Sequence, residues 1–208
     1  MRNPMSTYTL TIDKPSLRAL LACVSHPKHC RTNLESIAID GSKFIATDGH
    51  RVLVAEAADV FLPVVSPLAS PLARVRVIPV EAYKTANRTA TNKSSIEIKT
   101  SATNYDVLVD GKSIADGKMS ATIRFPPWEQ VVPGPLDPKD TPAAVVGLNP
   151  LYVADLALVG KATRASRKGD PPTVRMEIRG ELDPVVWRVT SYQTPIREWT
   201  YVLMPKRL

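Results

Sequence analysis

The chain has 208 residues, 44% of them hydrophobic and 23% charged, with a formal net charge of +7. This length and apolar content suit one large or two small folded domains and exclude a globally disordered chain. No apolar run approaches the ~18 residues that a membrane-spanning helix needs. The N-terminus does not resemble a secretory signal, and two cysteines make no disulfide framework, so we expect a cytoplasmic protein without a membrane partner. The basic charge favours a polyanionic partner.

The first part of the chain predicts one strand, one helix and three further strands. The run Tyr8–Ile12 alternates in polarity as a strand does, and apolar residues recur at helical spacing over Leu17–Val24. Pro15 suits the first turn of that helix, and Pro27 must end or kink it. Three β-prone runs follow, at residues 37–39, 44–46 and 52–54. The prolines and serines of residues 61–73 then predict a loose crossover.

A second unit with the same order of elements is predicted next. A strand at residues 75–78 leads into a helix from Pro79 to about Arg88. Gly111 and Gly117 are interpreted as turns between three further strands. These strands are predicted at residues 95–99, 106–109 and 121–125.

A third unit follows the proline-rich stretch 134–142, which predicts a linker. It begins with a strand at residues 143–148, and Asn149 caps a helix that starts at Pro150 and ends near Gly160. Three further strands are predicted at residues 174–178, 185–190 and 199–204. The units repeat the order of their elements rather than their residues, so a set of unrelated α+β elements is the alternative interpretation.

Four short stretches in chain order indicate a family. ATDGHRV at residues 46–52 is a hairpin sequence, because Asp-Gly forms tight turns between β-prone runs. FPPWEQVVP begins at residue 125, LNPLYVADL at 148 and YVLMPKRL at 201. Together they resemble the ATDGHRL-, FPDYRRVLP-, FNPKYLLDVL- and YVVMPMRL-like motifs of the bacterial DNA polymerase III β sliding clamp. On local evidence alone, the hairpin stretch is better explained as an ordinary turn with an exposed basic pair.

The resemblance implies an α+β fold, DNA clamp-like, built from three βαβββ units. Residues 8–133 correspond to a full clamp domain of the middle-domain type. Residues 134–142 form the linker, and residues 143–208 correspond to the second half of the last clamp domain. The first domain and the opening half of the last domain are missing. Clamps are commonly acidic overall, whereas this chain is basic, with +4 of its +7 in residues 141–208, where ten basic residues face six acidic ones.

The implied function is that of a non-enzymatic sliding-clamp-like replication and processivity factor. Such a protein binds short glutamine-led apolar motifs of DNA polymerases or other partners. The resemblance places this peptide-binding site at Leu34, Thr47, Gly49, His50, Arg51, Val52, Pro126, Val131, Asn149, Tyr152, Leu182, Val202, Met204, Pro205, Arg207 and Leu208. The aliphatic members suit an apolar groove, and His50, Arg51 and Asn149 would supply donors around it. The plain alternative is that these are core and terminal residues.

Two positions depart from the family's pattern. Lys206 replaces an apolar residue, and Gln130 stands where an arginine is usual, which puts the preferred motif in doubt.

DNA is the second implied partner, contacted through phosphates without reading bases. The candidate DNA-binding residues lie on or beside the three helices and are Arg18, Lys28, Arg31, Lys84, Arg88, Arg164, Arg167 and Lys168, with Lys14, Lys93 and Lys161 nearby. The alternative is a solvated basic surface.

A cluster of cysteine and histidine lies at Cys23, His26, His29 and Cys30, where thiolate and imidazole would suit zinc. Four ligands so close rarely complete one tetrahedron, and Cys23 falls on the apolar helix face, so we predict no metal and no cofactor. The sequence contains no GxSxG, GxxxxGK[ST] or HExxH motif, and turn chemistry explains Asp48 better than an acid–base pair with His50.

An isolated third unit would expose a sheet edge and an apolar helix flank. We therefore expect a homo-oligomer, with a dimer favoured and a ring of four chains as the competing assembly. An adaptor or decoy that holds clamp-binding motifs without encircling DNA is the alternative function. An unrelated basic DNA-binding protein is the third.

Overall fold

The computed structural model describes ten segments of the chain. They are residues 8–24, 34–58, 60–61, 75–101, 103–119, 124–134, 146–163, 174–180, 182–190 and 195–205. None of the helices in these segments is long and apolar enough to cross a membrane.

Three units follow one another in the chain. The first unit contains β1 (Tyr8–Asp13), α1 (Lys14–Ala22), β2 (Ser36–Asp40), β3 (Lys43–Thr47) and β4 (Arg51–Ala57), followed by the short strand β5 (Val60–Phe61). The second contains β6 (Arg76–Pro79), α2 (Val80–Thr89), β7 (Ser95–Thr100), β8 (Asn104–Val109) and β9 (Lys112–Lys118). A 3-10 helix (Trp128–Val131) precedes the third, which contains α3 (Pro150–Ala154), α4 (Leu156–Thr163), β10 (Arg175–Glu177), β11 (Val185–Thr190) and β12 (Ile196–Leu203).

The first two units exchange their opening strands. β1 pairs antiparallel with β7 of the second unit, with Ile12 opposite Ile96, and β6 pairs with β2 of the first unit, with Ile78 opposite Ile37. All four isoleucine side chains are fully buried. Each unit therefore completes the sheet of the other, and we call these two units, residues 8–118, the paired domain.

Side-chain caps determine where two of the helices begin. Asp13 precedes α1 and accepts the backbone N–H of Ser16 at 2.9 Å. Asn149 precedes α3 and accepts the N–H of Leu151 at 3.1 Å. Such caps satisfy donors that the first helical turn leaves free, which fits the cap predicted at Asn149.

The third unit joins the paired domain through its last strand. β12 pairs antiparallel with β4, which places Tyr201 opposite Leu53 and Val202 opposite Val52. One sheet therefore has seven strands in the order β10-β11-β12-β4-β3-β2-β6, and the other has five in the order β5-β1-β7-β8-β9. The predicted division into a domain at residues 8–133, a linker and a half domain stays a prediction, but the sheet continues from the first unit into the third.

Both faces of the seven-stranded sheet are covered. Because alternate side chains point to opposite faces, Leu53 and Tyr201 join a large core with the helices and the other sheet, whereas Val52 and Val202 face the other way. On that second face they form a smaller apolar cluster with Trp128. The segment around the 3-10 helix thus covers the outer side of the junction between the first and third units.

One strand of the second unit differs from its prediction. The third strand of its meander is β9, at Lys112–Lys118; of the strand predicted at residues 121–125, residues 121–123 lie outside the described segments and residues 124–125 are irregular. The reason is the tight turn at Asp110 and Gly111, where φ is 50° and 78°, which returns the chain at once. Gly117 is therefore in the strand rather than in a turn, and a Cβ there would lie 2.9 Å from the Tyr105 hydroxyl.

The third unit also differs from its prediction at its start. Of the strand predicted at residues 143–148, residues 143–145 lie outside the described segments, and Gly147 forms a single bridge rather than a ladder. The predicted helix is divided at Asp155 into α3 and α4, and it extends beyond Gly160 to Thr163. The remaining strands lie within two or three residues of their predicted bounds.

Candidate functional site

The hairpin turn between β3 and β4 is held by its own side chains. Asp48 Oδ1 accepts the backbone N–H of His50 at 2.9 Å and that of Arg51 at 3.1 Å. Thr47 Oγ1 accepts the N–H of Gly49 at 3.1 Å and donates to the Arg51 carbonyl at 2.7 Å. Gly49 has a φ of 90°, which a residue with a Cβ rarely adopts. The carboxylate of Asp48 is thus used to build the turn.

The end of β12 lies directly beside this turn. The Met204 N–H donates to the His50 carbonyl at 3.0 Å, immediately beyond the pairing of Leu203 with Arg51. Residues near position 50 and residues just after 200 therefore share one edge of the site, although about three quarters of the chain separates them.

A cavity of about 280 Å³ opens where the hairpin, the end of β12 and the segment around the 3-10 helix meet. It is lined by Leu34, Thr47, Gly49, Arg51, Val52, Pro126, Pro127, Trp128, Gln130, Val131, Val202 and Met204. Most of these side chains are apolar, and Met204, at 41% exposure, forms an accessible part of the wall. A concave apolar surface with a few polar groups is typical of a binding site.

The structure brings together nine of the sixteen residues predicted for the peptide site. They are Leu34, Thr47, Gly49, Arg51, Val52, Pro126, Val131, Val202 and Met204. Five more are described but do not line the cavity, namely His50, Asn149, Tyr152, Leu182 and Pro205. Arg207 and Leu208 lie outside the described residues.

Three cavity residues were absent from the predicted set: Pro127, Trp128 and Gln130. They belong to the FPPWEQVVP stretch, of which only Pro126 and Val131 were predicted to line the site. Residues 126–128 and 130–131 all line the cavity, because the stretch bends into the 3-10 helix there. Comparing the sequence with the family's motif residue by residue does not reveal this. Trp128 is buried there, with the Lys43 ammonium 5.4 Å from its ring centroid.

Arg51 connects the cavity wall to the interior rather than offering free donors to a ligand. Only 8% of its side chain is exposed, and its Nε donates to Asp48 Oδ2 at 3.0 Å. Its other nitrogens donate to the carboxylate of Asp155, between α3 and α4, and to the carbonyl of Ala22 at the end of α1. The guanidinium thereby links the hairpin to the end of α1 in the first unit and to the junction of α3 and α4 in the third unit.

Tyr152 of α3 packs beside this guanidinium. Its ring centroid lies 4.4 Å from the Arg51 guanidinium carbon and 6.3 Å from the His50 ring, with the two rings 21° from parallel. Its carbonyl accepts the Tyr201 hydroxyl at 2.8 Å. Tyr152, and Asn149 that caps its helix, therefore belong to the junction between the first and third units and do not line the cavity itself.

Solved structures of known proteins match this arrangement over the whole chain. The DNA polymerase sliding clamp of Pseudomonas aeruginosa aligns with 100% of this chain and 68% of its own, at a TM-score of 0.62 and 14% identity. The DNA polymerase III subunit beta of Borrelia burgdorferi aligns with 100% of this chain and 66% of its own, at 0.62 and 12%. The H. pylori beta clamp aligns with 100% and 68%, at 0.67 and 8%.

This chain has the fold of a bacterial DNA sliding clamp. It spans about two thirds of the length of the clamps it matches. The α+β clamp-like prediction is confirmed. No protein-family profile and no curated protein matches the sequence.

The helices of this clamp fold present several of the predicted DNA-binding cations. α1 packs against both α2 and α4, so the three helices lie side by side. Arg18 on α1, Arg88 on α2 and Lys161 on α4 are exposed. Lys84 on α2 pairs with Glu81 at 2.7 Å. The other predicted contacts, Lys28, Arg31, Arg164, Arg167 and Lys168, lie outside the described residues.

The cysteine and histidine cluster for which we predict no metal lies only partly within the described residues. Cys23 is buried against the core beside Arg51, and burial raises the pKa of its thiol to about 12, so the thiolate that metals bind is strongly disfavoured. His26, His29 and Cys30 lie outside the described segments. Within those segments, no group of three or more histidine, cysteine or acidic residues is arranged to hold an ion.

Proposed function

We propose that this protein is a sliding-clamp-like replication factor that binds a short apolar peptide motif of a polymerase or a related partner in the cytoplasm. The observation that carries this proposal is the cavity of about 280 Å³, formed by three segments from distant parts of the chain. Two or three aliphatic or aromatic side chains fill such a volume, and a peptide of that kind buries them in one extended stretch.

The cavity wall suits this occupant chemically. Val52, Val131 and Val202 provide branched aliphatic surface, and Met204 provides a flexible side chain that adapts to different partners. Gln130 supplies an amide at the wall where the resembled family has an arginine, so we propose a neutral polar group rather than a carboxylate beside the apolar side chains of the peptide.

Binding of a fluorescently labelled glutamine-led apolar peptide tests this function. We expect Met204→Lys to weaken binding by about tenfold or more, because it places a charge in the apolar wall. Met176→Lys, which changes an exposed methionine of β10 that does not line the cavity, is the matched control and should bind as the unmodified protein does. Equal affinity of the two variants, or no affinity of the unmodified protein, would contradict the proposal.

We further propose that the row of helices contacts DNA phosphates without regard to sequence. The support is the exposure of Arg18, Arg88 and Lys161 on three adjacent helices, together with the net charge of +7. Binding should weaken steeply as salt rises, because bound counterions are released from DNA. Replacing these three residues by alanine should lower the salt dependence. An unchanged slope would contradict the helix row as the contact surface.

A non-encircling adaptor is the second candidate, and a structural observation favours it. The chain contains three βαβββ units, half of the six that the resemblance implies for a full clamp subunit, so one chain alone is not expected to close a ring. Retention on closed circular DNA compared with linearised DNA distinguishes the two candidates. Loss from linear DNA alone indicates encirclement, and equal loss from both indicates an adaptor.

A further inference from the structure

The paired domain shows how one unit of this fold completes another. The residue two places before each helix pairs with the second residue of the first meander strand in the other unit. In β1 and β7 this pair is Ile12 and Ile96, and in β6 and β2 it is Ile78 and Ile37. Both pairs are fully buried, so the same apolar contact occurs twice, once from each unit to the other.

The third unit has the same two positions. Leu148 lies two places before α3, and Met176 is the second residue of β10. Met176 pairs with Trp187 of β11, so it lies on the sheet face of the large core, and Ile178 packs against that core two residues further on. The alternation of Met176 and Ile178 thus repeats that of Ile37 and Ile39.

Of these two positions, that of Met176 remains open in a single chain, whereas Leu148 is half-buried against the large core. β10 is the edge strand of the seven-stranded sheet in the described part of the chain. Met176 is 54% exposed, although its equivalents Ile37 and Ile96 are buried. Leu151 of α3 is also largely exposed, and the divided helix α3–α4 buries two described residues, Val159 and Ala162, whereas α1 and α2 each bury four.

We propose that the third units of two chains pair around a twofold axis and complete a clamp domain between them. The segment before α3 of each chain adds to β10 of the other, with Leu148 opposite Met176 of the second copy. A second copy is the occupant because each unit in the paired domain is completed by another βαβββ unit with reciprocal contacts. A twofold dimer supplies both contacts with one surface.

The chemistry of the two strands is compatible with this pairing. Val146, Gly147 and Leu148 are uncharged, and the side chains of Val146 and Leu148 alternate as those of Leu10 and Ile12 do. Addition of a strand also satisfies the backbone groups that an edge strand leaves free. The contact is separate from the peptide cavity, so the dimer and the peptide site are tested independently.

The solution mass of the full chain tests the dimer. Light scattering after size exclusion should give twice the chain mass at micromolar concentration, and Met176→Lys should halve it. Met204→Lys changes another partly exposed methionine and is the matched control that should leave the mass unchanged. A monomeric unmodified protein would overturn the proposal, as would any oligomer that Met176→Lys leaves intact. A larger oligomer halved by Met176→Lys would support it.

Disulfide trapping tests the register. Chains with Leu148→Cys and chains with Met176→Cys, each also carrying Cys30→Ser, are mixed and mildly oxidised; the buried Cys23 is left in place. The expected product is a covalent heterodimer of the two variants. Chains with Thr190→Cys, at the far end of β11, should not couple to Leu148→Cys chains. Failure of the first pair to couple more than this control would overturn the proposed pairing.

Discussion

The paired domain and the third unit are built from the same order of elements, yet they differ in how completely those elements are buried. In the paired domain every opening strand lies in a neighbouring sheet, and α1 and α2 each bury four residues. In the third unit β10 is an edge strand among the described residues, and the divided helix α3–α4 buries two of its described residues, Val159 and Ala162. One unit of this fold therefore buries its first meander strand and its helix fully only where a second unit packs against it.

We expect the largest difference in the free energy of unfolding between Ile96→Ala and Met176→Ala, which change residues at equivalent positions of two units. Ile96 is fully buried, so its truncation should lower the free energy of unfolding by about 2–5 kcal/mol. Met176→Ala should change it by less than about 0.5 kcal/mol at concentrations too low for association, because the side chain is then half exposed. Urea unfolding of both variants measures the two changes.

Concentration provides the control for that pair of variants. If the third units associate, the effect of Met176→Ala should grow as the protein concentration rises, whereas that of Ile96→Ala should not. An equally large loss for Met176→Ala in dilute solution would show that the third unit is already closed within one chain.

The next largest effect is expected where the two regions meet, at Arg51. Arg51→Ala leaves the carboxylates of Asp48 and Asp155 without their partner and should cost about 2–4 kcal/mol of unfolding free energy. Arg51→Lys should recover only part of this loss, because one ammonium cannot reach both carboxylates and the Ala22 carbonyl at once. Thermal or urea unfolding measures both variants, and full recovery in Arg51→Lys would contradict the fork-like role of the guanidinium.

A smaller effect is expected from the pH dependence of stability. Burial raises the pKa of Cys23 from 9.0 to about 12, so the folded state holds a proton that the unfolded state releases. This contribution is fully present below pH 9 and is lost as the pH rises toward 12, which lowers the free energy of unfolding by about 1 kcal/mol between pH 9 and 10.

Cys23→Ala is the control for the pH effect. It removes the titrating group with little change in packing volume, so the decline between pH 9 and 10 should become shallower. Burial also raises the pKa of Tyr83 and Tyr201, but their ordinary value of 10.0 confines most of their effect to higher pH. An unchanged decline in Cys23→Ala would show that the thiol is not its cause.

The sequence by itself determined most of the elements, and it predicted a set of site residues of which nine line the cavity. The helical spacing of Leu17–Val24, the cap at Asn149 and the Asp-Gly turn are local signals, and each appears in the structure near its predicted place. Local signals compete in the second unit. The turn at Asp110 and Gly111 returns the chain at once, so Gly117 lies in β9, although glycine alone favours a turn.

Only the tertiary structure decided how the units are joined and where the cavity wall lies. The pairing of β12 with β4 brings Met204 to His50, and the 3-10 helix adds Trp128 to the wall. We expected Arg51 to be a donor at the rim of the groove. The tertiary structure instead buries it, where it links the hairpin, α1 and the junction of α3 and α4. Pairing and burial depend on which surfaces meet, and this information is spread over segments that are far apart in the chain, whereas capping and turn formation depend on a few adjacent residues.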